Sequence, residues 1–264
     1  VNYVSFVKKN MSTPLILITN DDGIYSPGLR YLIGLMNNIG KVVVVAPDGP
    51  QSAQSHAITI NKPITCEKIK IDEGKQIEFI CSGTPVDCVK LALAEILDRK
   101  PDICISGINH GSNASINVIY SGTVSAAIEA SVHDIPSVGF SILDYSTTTE
   151  FKHTETHIIN IVRNLLSSNL NVCLNVNIPK YSENKIKGIK IAKQAKGKWI
   201  EDFDERVSPM GKRYFWLTGE FIKEDESNEA DQNLLDDNYI SVVPVRYDLT
   251  DYSQIDDVKR LLNE

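Results

Sequence analysis

The first 150 residues alternate between short, continuous apolar runs and longer amphipathic segments. Apolar runs without polar interruptions indicate strands buried on both faces, as in a parallel sheet, and apolar residues at helical spacing indicate helices that pack against it. Proline near the start of one amphipathic segment and Gly40 after its end support helical bounds. The pattern predicts strands at 15–19, 41–46, 102–106 and 137–143, and helices at 27–39, 86–97 and 123–132.

The order of these elements predicts the fold class. Strand, helix and strand at this spacing form a βαβ unit with parallel strands, and the unit repeats along the chain. We therefore expect a doubly wound, largely parallel, Rossmann-like α/β sheet whose ligands bind at the carboxyl ends of the strands. Residues 58–80 alternate apolar and polar positions around 72–74, which predicts a β-hairpin at the edge of this sheet.

The pattern changes in the second half of the chain. Residues 185–217 alternate over a long stretch with a turn sequence at 208–211, which predicts a projecting hairpin. A single chain offers such a hairpin little to pack against, so we expect it to contact another subunit. The other predicted elements are a helix at 157–166, a strand at 172–178, an acidic polar loop at 221–237, a strand at 239–245 and an amphipathic helix at 253–262.

We expect one α/β domain over 11–264. In this domain 11–150 would form the catalytic core, and 151–264 would add the remaining core elements, the hairpin and a C-terminal oligomerisation segment. Met11 is followed by Ser-Thr-Pro and has the character of a start site, so residues 1–10 are interpreted as an N-terminal extension.

Composition narrows the class of protein. A chain of 264 residues with 42% hydrophobic content can bury a sizeable core without disulfide bonds. Its five cysteines are an odd number without a Cys-x-x-Cys pair, which is typical of reduced thiols in a cytoplasmic protein. No apolar run approaches the roughly 20 residues of a membrane helix. The net charge of −7, without a long basic block, disfavours binding to polymeric nucleic acid.

Two adjacent carboxylates, Asp21 and Asp22, directly follow the first buried strand and precede Gly23. Neighbouring carboxylates in such a place repel each other and lose solvation, so a hard divalent cation with oxygen ligands is a favourable partner. A helix cap or Asx-turn is the alternative for either residue, because Asp-Gly is common turn chemistry.

Two further polar segments follow core strands and are expected at the same edge of the sheet. Ser52 lies in the segment after the second strand, and Asn109 lies between two glycines after the third. Together with Asp21 and Asp22 they would form an all-oxygen set, which suits Mg²⁺, Mn²⁺ or Ca²⁺ and disfavours zinc.

A fourth polar segment opens the helix at 123–132. Ser121 or Thr123 could be the N-cap of this helix, and the same helix N-terminus could bind a phosphate through its N–H groups. The two interpretations are compatible. His56 and His110 lie in the neighbouring polar segments and could be acid–base groups or hydrogen-bonded bystanders.

Five ordered motifs together resemble the SurE family of survival-protein nucleotidases. The motifs are Ile18-Thr-Asn-Asp-Asp-Gly-Ile-Tyr-Ser-Pro-Gly28, Val45-Ala-Pro-Asp48, Cys81-Ser-Gly-Thr-Pro-Val-Asp-Cys88, residues 101–113, and Val118-Ile-Tyr-Ser-Gly-Thr123. The sharp motifs lie between 15 and 141, and the remaining chain is similar by pattern.

The resemblance implies a phosphatase that releases phosphate from nucleoside 5′- and 3′-monophosphates, and in some members from short polyphosphate. It implies one divalent ion per subunit, Mg²⁺ or Mn²⁺, and a homodimer or homotetramer with an extended hairpin and an exchanged C-terminal tail. The implied metal ligands are Asp21, Asp22, Ser52 and Asn109, of which Asp21, Asp22 and Asn109 are also the implied catalytic residues. The implied phosphate contacts are Asn20, Asn113, Ser121, Gly122 and Thr123.

The sequence departs from the family pattern in its second polar segment, where 49–53 reads Gly-Pro-Gln-Ser-Ala and lacks the basic residue found in many members. A cationic phosphate contact is therefore absent there. Two alternatives to a nucleotidase stay open at this point: a nucleotide-binding or regulatory module that does not hydrolyse, and a metal-dependent hydrolase of non-phosphate substrates.

Overall fold

A computed structural model describes residues 13–146 and 148–263 of the chain. The predicted extension at 1–10 lies outside the described residues. The strands are β1 (Leu15–Thr19), β2 (Lys41–Pro47), β3 (Cys66–Ile69), β4 (Ile77–Cys81), β5 (Ile103–His110), β6 (Ser137–Ile142), β7 (Cys173–Ile178), β8 (Ile189–Ile191), β9 (Gly197–Val207), β10 (Arg213–Lys223) and β11 (Ile240–Val245). The helices are α1 (Pro27–Met36), α2 (Pro85–Leu91), α3 (Gly122–Val132), α4 (Glu155–Ser167), α5 (Asp231–Asp236) and α6 (Ile255–Leu262), with a π-helical turn at Ala92–Ile96 and 3₁₀ turns at Ser115–Ile119 and Lys152–Thr154.

Nine strands form one sheet in the order β3-β4-β2-β1-β5-β6-β7-β11-β8, and β9 and β10 form a separate two-stranded sheet. The six central strands from β4 to β7 are parallel, whereas β3 pairs antiparallel with β4 and β11 pairs antiparallel with β7 and parallel with β8. The predicted α/β class, the largely parallel sheet and the edge hairpin are confirmed.

Helices cover both faces of the sheet: α1 and α4 pack on one face, and α2 and α3 pack on the other. Successive side chains of β1 therefore enter different cores, because residues along a strand point to alternate faces. Ile16 and Ile18 join the cluster beneath α1 and α4, while Leu15 and Leu17 join the cluster beneath α2 and α3. Burial on both faces explains why the strand contains no polar interruption.

The chain reverses direction across the sheet next to β1. From β1 it runs outwards to β2 and β4, and it then crosses to β5 on the other side of β1. The crevice at the carboxyl ends of β1 and β5 is the topological switch point, where ligands bind in doubly wound folds. Within the described ranges, no helix has the length and apolar character needed to cross a membrane.

Three predicted bounds in the first half were wrong. Helix α1 ends at Met36 and not at 39, where Asn37 and Asn38 begin a turn because asparagine is a poor helix former. Strand β5 continues to His110, because a bulge after Ser106 lets the chain pair again with β6. The edge hairpin uses only β3 and β4, and the chain from 58 to 65 approaches them as an extended loop.

The prediction for the second hairpin was wrong in its arms and right in its turn. The arms are β9 and β10, which pair from 197 to 223, with Gly211 N donating to Ser208 O at 2.9 Å in the turn. Strand β8 instead joins the main sheet beside β11. The region predicted as a loop at 221–237 contains the end of β10 and all of α5. Alternation along a strand shows which side chains share a face, but it does not show which strand is the pairing partner. This explains the wrong arms of the hairpin and the unpredicted pairing of β8.

Candidate active site

The two adjacent aspartates lie at the switch point, directly after β1. Asp21 is 6% exposed. Thr123 Oγ1, in the first turn of α3, donates a hydrogen bond to Asp21 Oδ1. The backbone N–H of His110, at the end of β5, points to Asp22 Oδ2 at 3.3 Å. The first and third predicted polar segments and the start of α3 are therefore in contact.

A glycine at position 122 makes the close approach of α3 possible. A Cβ atom at this position would lie 2.9 Å from Asp21 Cβ and 3.0 Å from Asp21 Oδ2. A Cβ atom this close to another atom would overlap with it, so a neighbouring group would have to move. The helix N-terminus can thus approach the carboxylate only because residue 122 has no side chain.

The second polar segment is tied to the first through the backbone. Gln51 N donates to Asp21 O at 2.7 Å, and Ile24 N donates to Pro47 O at 2.8 Å. Gly23 has φ +94°, and a Cβ there would lie 3.1 Å from the backbone carbon of Gly49. Ser52 directly follows Gln51 and is exposed, so the fold brings its backbone to the rim that holds the aspartates.

Asn109 lies in β5 just beyond the bulge and is partly exposed. Its Nδ2 donates to Gly111 O at 2.9 Å, which holds the amide in one orientation. Asn20 precedes the aspartates, and its Nδ2 donates to Gly23 O at 3.0 Å and to Ser26 Oγ at 2.8 Å. Asn20 Oδ1 is buried without a hydrogen-bond donor.

The surroundings of the aspartates favour a bound cation. Burial raises the pKa of Asp21 to about 6, against the hydrogen bond from Thr123 and with the help of the charge on Asp22. Burial also raises the pKa of Asp22, against its contact with the His110 N–H. Two carboxylates held in this way are stabilised by a positive charge. The orphaned oxygen of Asn20 fits the same interpretation, since a buried acceptor calls for a partner.

The donor set also indicates the kind of metal. In the described parts of the chain, no group of three or more His, Cys, Asp and Glu side chains could hold a metal ion. A metal at the switch point would therefore use the two carboxylates together with neutral oxygens of serine and asparagine. These residues fit a hard divalent cation, which prefers oxygen ligands.

Without metal, the stability of the protein is expected to fall between about pH 4 and pH 7. The pKa of Asp21 is about 6 in the folded protein and near its ordinary 3.8 in the unfolded chain, so the folded state binds this proton more tightly. This contribution is complete at low pH and is lost as the pH rises through 6. The size of this contribution is roughly 1–3 kcal/mol.

Urea unfolding in EDTA across this pH range should show the decline in stability in the natural chain and a smaller decline in Asp21→Asn. If the stability of the two proteins changed with pH by the same amount, Asp21 would not be the source of the decline.

The start of α3 is capped in one of the ways that its sequence allowed. Ser121 Oγ accepts a hydrogen bond from Val124 N at 3.0 Å, so Ser121 is the N-cap. The first N–H groups of a helix have no partner within the helix and carry partial positive charge. Because Gly122 and Thr123 contact Asp21, these N–H groups lie beside the carboxylate pair, where a phosphate could accept from them.

Asn113 differs from the other predicted phosphate contacts. It is buried, its Nδ2 donates to Ser141 Oγ at 2.8 Å, and its backbone N donates to Asn177 Oδ1 at 2.8 Å. Asn175 Nδ2 donates to Asn113 O at 2.8 Å. The fold thus uses the Asn113 amide nitrogen internally, in a polar network that joins the third segment to β6 and β7. Sequence reasoning missed this network, and its only signal was the polar residues inside otherwise apolar strands.

Neither candidate histidine presents its ring as an obvious acid–base group. His56 Nε2 lies 2.8 Å from Glu129 Oε2, away from the aspartates along α3. The ring of His110 packs on Phe151, and burial lowers the pKa of this histidine. His110 reaches the site through its backbone N–H, which donates to a carboxylate whatever its side chain is.

Fold and site together define a doubly wound α/β protein with an acidic, oxygen-lined site at its switch point. The family model for survival protein SurE matches residues 16–201. The chain belongs to the SurE family, as its motifs predicted. It is 54% identical over 252 residues to the 5′-nucleotidase SurE of Christiangramia forsetii, covering 94% of this chain and 97% of that protein.

Two further comparisons agree. The chain is 56% identical over 247 residues to the 5′-nucleotidase SurE of Flavobacterium psychrophilum, which covers 93% of this chain and 96% of that protein. The crystal structure of the SurE protein from Aquifex aeolicus matches with a TM-score of 0.79 at 36% identity, covering 94% of this chain and 100% of that one. The family resemblance therefore extends over the fold and nearly the full described length.

Proposed function

We propose that this chain is a metal-dependent 5′-nucleotidase that hydrolyses nucleoside 5′-monophosphates to nucleoside and phosphate. The observation that carries the proposal is the pair of adjacent carboxylates at the switch point, in which the buried Asp21 is held against the N-terminus of α3 and the half-buried Asp22 lies beside it. This arrangement offers a cation site and a phosphate site side by side. The names of the relatives from Christiangramia forsetii and Flavobacterium psychrophilum support the same activity.

The proposal includes the finer features implied by the family. Nucleoside 3′-monophosphates and short polyphosphate are further substrates, because a site that binds mainly the phosphate tolerates different leaving groups. The cofactor is one Mg²⁺ or Mn²⁺ per subunit, in keeping with oxygen ligands. The proposed ligands are Asp21, Asp22, Ser52 and Asn109.

A divalent cation held by Asp21, Asp22, Ser52 and Asn109 would supply Lewis-acid activation of the phosphoryl group and would lower the pKa of the attacking water. Thr123 Oγ1 and the His110 N–H hold the two carboxylates in place through hydrogen bonds. The N–H groups of Gly122 and Thr123 stabilise the negative charge that develops on the phosphoryl oxygens. Asn109 keeps its orientation through its bond to Gly111 O. Nucleophilic attack by water requires no covalent serine.

Phosphate release from AMP is expected to stop when the protein is treated with EDTA and to return when Mg²⁺ or Mn²⁺ is added. The reason is that the two carboxylates lack a counter-charge without the metal. We expect a loss of at least about 100-fold in rate, since charge stabilisation in a buried site contributes several kcal/mol. Inorganic phosphate release, measured colorimetrically over the nucleoside monophosphates and short polyphosphate, checks this.

The same assay separates the alternatives. Full activity in EDTA would contradict the metal mechanism. Binding of AMP without phosphate release would indicate a non-hydrolytic nucleotide-binding module. Activity on esters or amides that inorganic phosphate does not inhibit would indicate a hydrolase of other substrates.

We also propose that the protein is a cytoplasmic homodimer or homotetramer. The hairpin of β9 and β10 pairs with no other strand, and its aromatic side chains Phe203, Phe215 and Trp216 are exposed. Helix α6 buries none of its residues. Apolar surface of this kind is typical of subunit contacts. Light scattering on the purified chain measures the number of subunits.

A further inference from the structure

The chain that returns from the second polar segment is bonded at nearly every residue. We call residues 55–59 the strap. Ser55 Oγ donates to Ile119 O at 2.6 Å, and Ser55 N donates to Tyr120 O at 3.2 Å. These carbonyls directly precede the N-cap of α3. The strap therefore begins by joining the second segment to the phosphate-side helix.

The next residue of the strap, His56, contacts a buried carboxylate on α3. His56 Nε2 lies 2.8 Å from Glu129 Oε2. Lys90 Nζ of α2 lies 2.7 Å from the other carboxylate oxygen, and His133 Nε2 of α3 lies 3.4 Å from it. Burial opposes the charge of Glu129, but the bonds from His56 and Lys90 lower its pKa to about 2. Glu129 is thus a charged anchor inside the fold.

The strap then attaches to the N-terminus of α2. Thr84 Oγ1 donates to Ala57 O at 2.7 Å, and Thr59 N donates to Asp87 Oδ1 at 3.1 Å. At the other end of the loop, Gln51 N is fixed on Asp21 O. Only residues 52–54 lie between these two anchors, and all three are exposed.

The backbone of this stretch and of the first strap residue is strained. Ala53 has φ +56° and Ser55 has φ +53°, a left-handed conformation that side chains disfavour. Such residues persist where the surroundings hold them. Released from the strap, the loop is expected to leave this conformation, and Ser52 would move with it.

From these contacts we infer that His56 is a positioning residue, which acts through the strap to hold Ser52 at the aspartates. The inference rests on the proposed role of Ser52 as a metal ligand. Fixing the loop before the metal binds removes an ordering cost that would otherwise weaken binding. The His56 ring lies on Glu129 and not on the aspartates, so His56 would act through the loop.

The test compares His56→Ala with His133→Ala. Both substitutions remove an imidazole from Glu129, but only His56 belongs to the strap. We expect His56→Ala to weaken Mn²⁺ binding by about 10-fold in calorimetry, and to speed hydrogen exchange of residues 50–56 in the metal-free protein by a similar factor. His133→Ala should change either quantity less than 2-fold. His56→Gln, whose amide nitrogen can reach Glu129, should recover most of the loss.

Kinetics adds a readout that general damage would not give. With His56→Ala, the Mn²⁺ concentration needed for half-maximal AMP hydrolysis should rise about 10-fold, while kcat at saturating Mn²⁺ stays within about 3-fold of the natural chain. Equal effects of His56→Ala and His133→Ala, or an unchanged Mn²⁺ affinity in His56→Ala, would overturn the inference. If His56→Ala does not fold, Ser55→Ala removes a strap bond alone and is held to the same expectations.

The proposed function can fail separately. If the natural chain binds no Mn²⁺ and releases no phosphate, the metal mechanism is wrong, whereas hydrogen exchange of residues 50–56 still reports whether His56 holds the loop. If the natural chain binds Mn²⁺ but His56→Ala leaves hydrogen exchange unchanged, the positioning role of His56 is contradicted. The proposed function would not be affected by that result.

Discussion

Asp21→Asn is expected to lower kcat/KM for AMP by at least about 10³-fold while the chain stays folded. The substitution removes one of the two charges that would hold the cation, and such charges contribute several kcal/mol to transition-state stabilisation. The fold tolerates the change, because an asparagine oxygen can still accept the hydrogen bond from Thr123 Oγ1. Removing a buried charge also removes an unfavourable contribution to the stability of the metal-free protein.

Steady-state kinetics with added Mg²⁺ or Mn²⁺, together with circular dichroism, measures both parts of this expectation. Asp72→Asn is a matched control, since Asp72 is a carboxylate on the edge hairpin that pairs with Arg30, far from the switch point in the sheet order. It should keep natural turnover. Full activity of Asp21→Asn at saturating metal would mean that the carboxylate pair is not the reaction centre.

Gly122→Ala should reduce kcat/KM by about 10²-fold, because the added methyl group would displace the carboxylate of Asp21. The added methyl would lie 2.9 Å from Asp21 Cβ, so Asp21 or the start of α3 must move. Small displacements of catalytic groups are known to cost rate factors of this order. Alanine is well tolerated at the first position of a helix, so the loss of stability should be small. Steady-state kinetics with AMP and unfolding by urea measure the two effects.

Gly34→Ala is the control for the glycine substitution itself. Gly34 lies within α1, and a Cβ there meets no atom within 4 Å. This variant should keep its activity and gain about 0.5–1 kcal/mol of stability, as expected for glycine replaced in a helix. If Gly122→Ala retains full turnover, the close approach of α3 to Asp21 has no catalytic importance.

The central part of the fold was predictable because its signals are local. Strand β1 was predicted at its observed bounds, since a strand covered on both faces is typically a nearly continuous apolar run. The start of α3 was within one residue of its prediction, because Ser121 is a strong N-cap. The Asp21–Asp22 pair was recognisable as a site for the same kind of reason, as adjacent carboxylates after a buried strand are costly without a partner.

Features that depend on pairing between distant segments were missed or misplaced. The arms of the second hairpin, the place of β8 in the main sheet and the continuation of β5 past Ser106 depend on register between strands. The hydrogen bonds of Asn113 were not predicted for a similar reason. Its hydrogen-bond partners Ser141 and Asn177 lie on β6 and β7, and the residues next to Asn113 in the sequence do not predict these partners.

Local order along the chain thus sufficed for the class of fold and for the family, and it supplied the residues that we propose for the chemistry. Three-dimensional contacts alone settled how those residues are held: Thr123 on Asp21, the His110 N–H on Asp22, and His56 on Glu129. The physical reason is the range of the forces involved. Apolar burial and helix capping act on neighbours in sequence and leave a periodic record, whereas a hydrogen bond between loops dozens of residues apart leaves none.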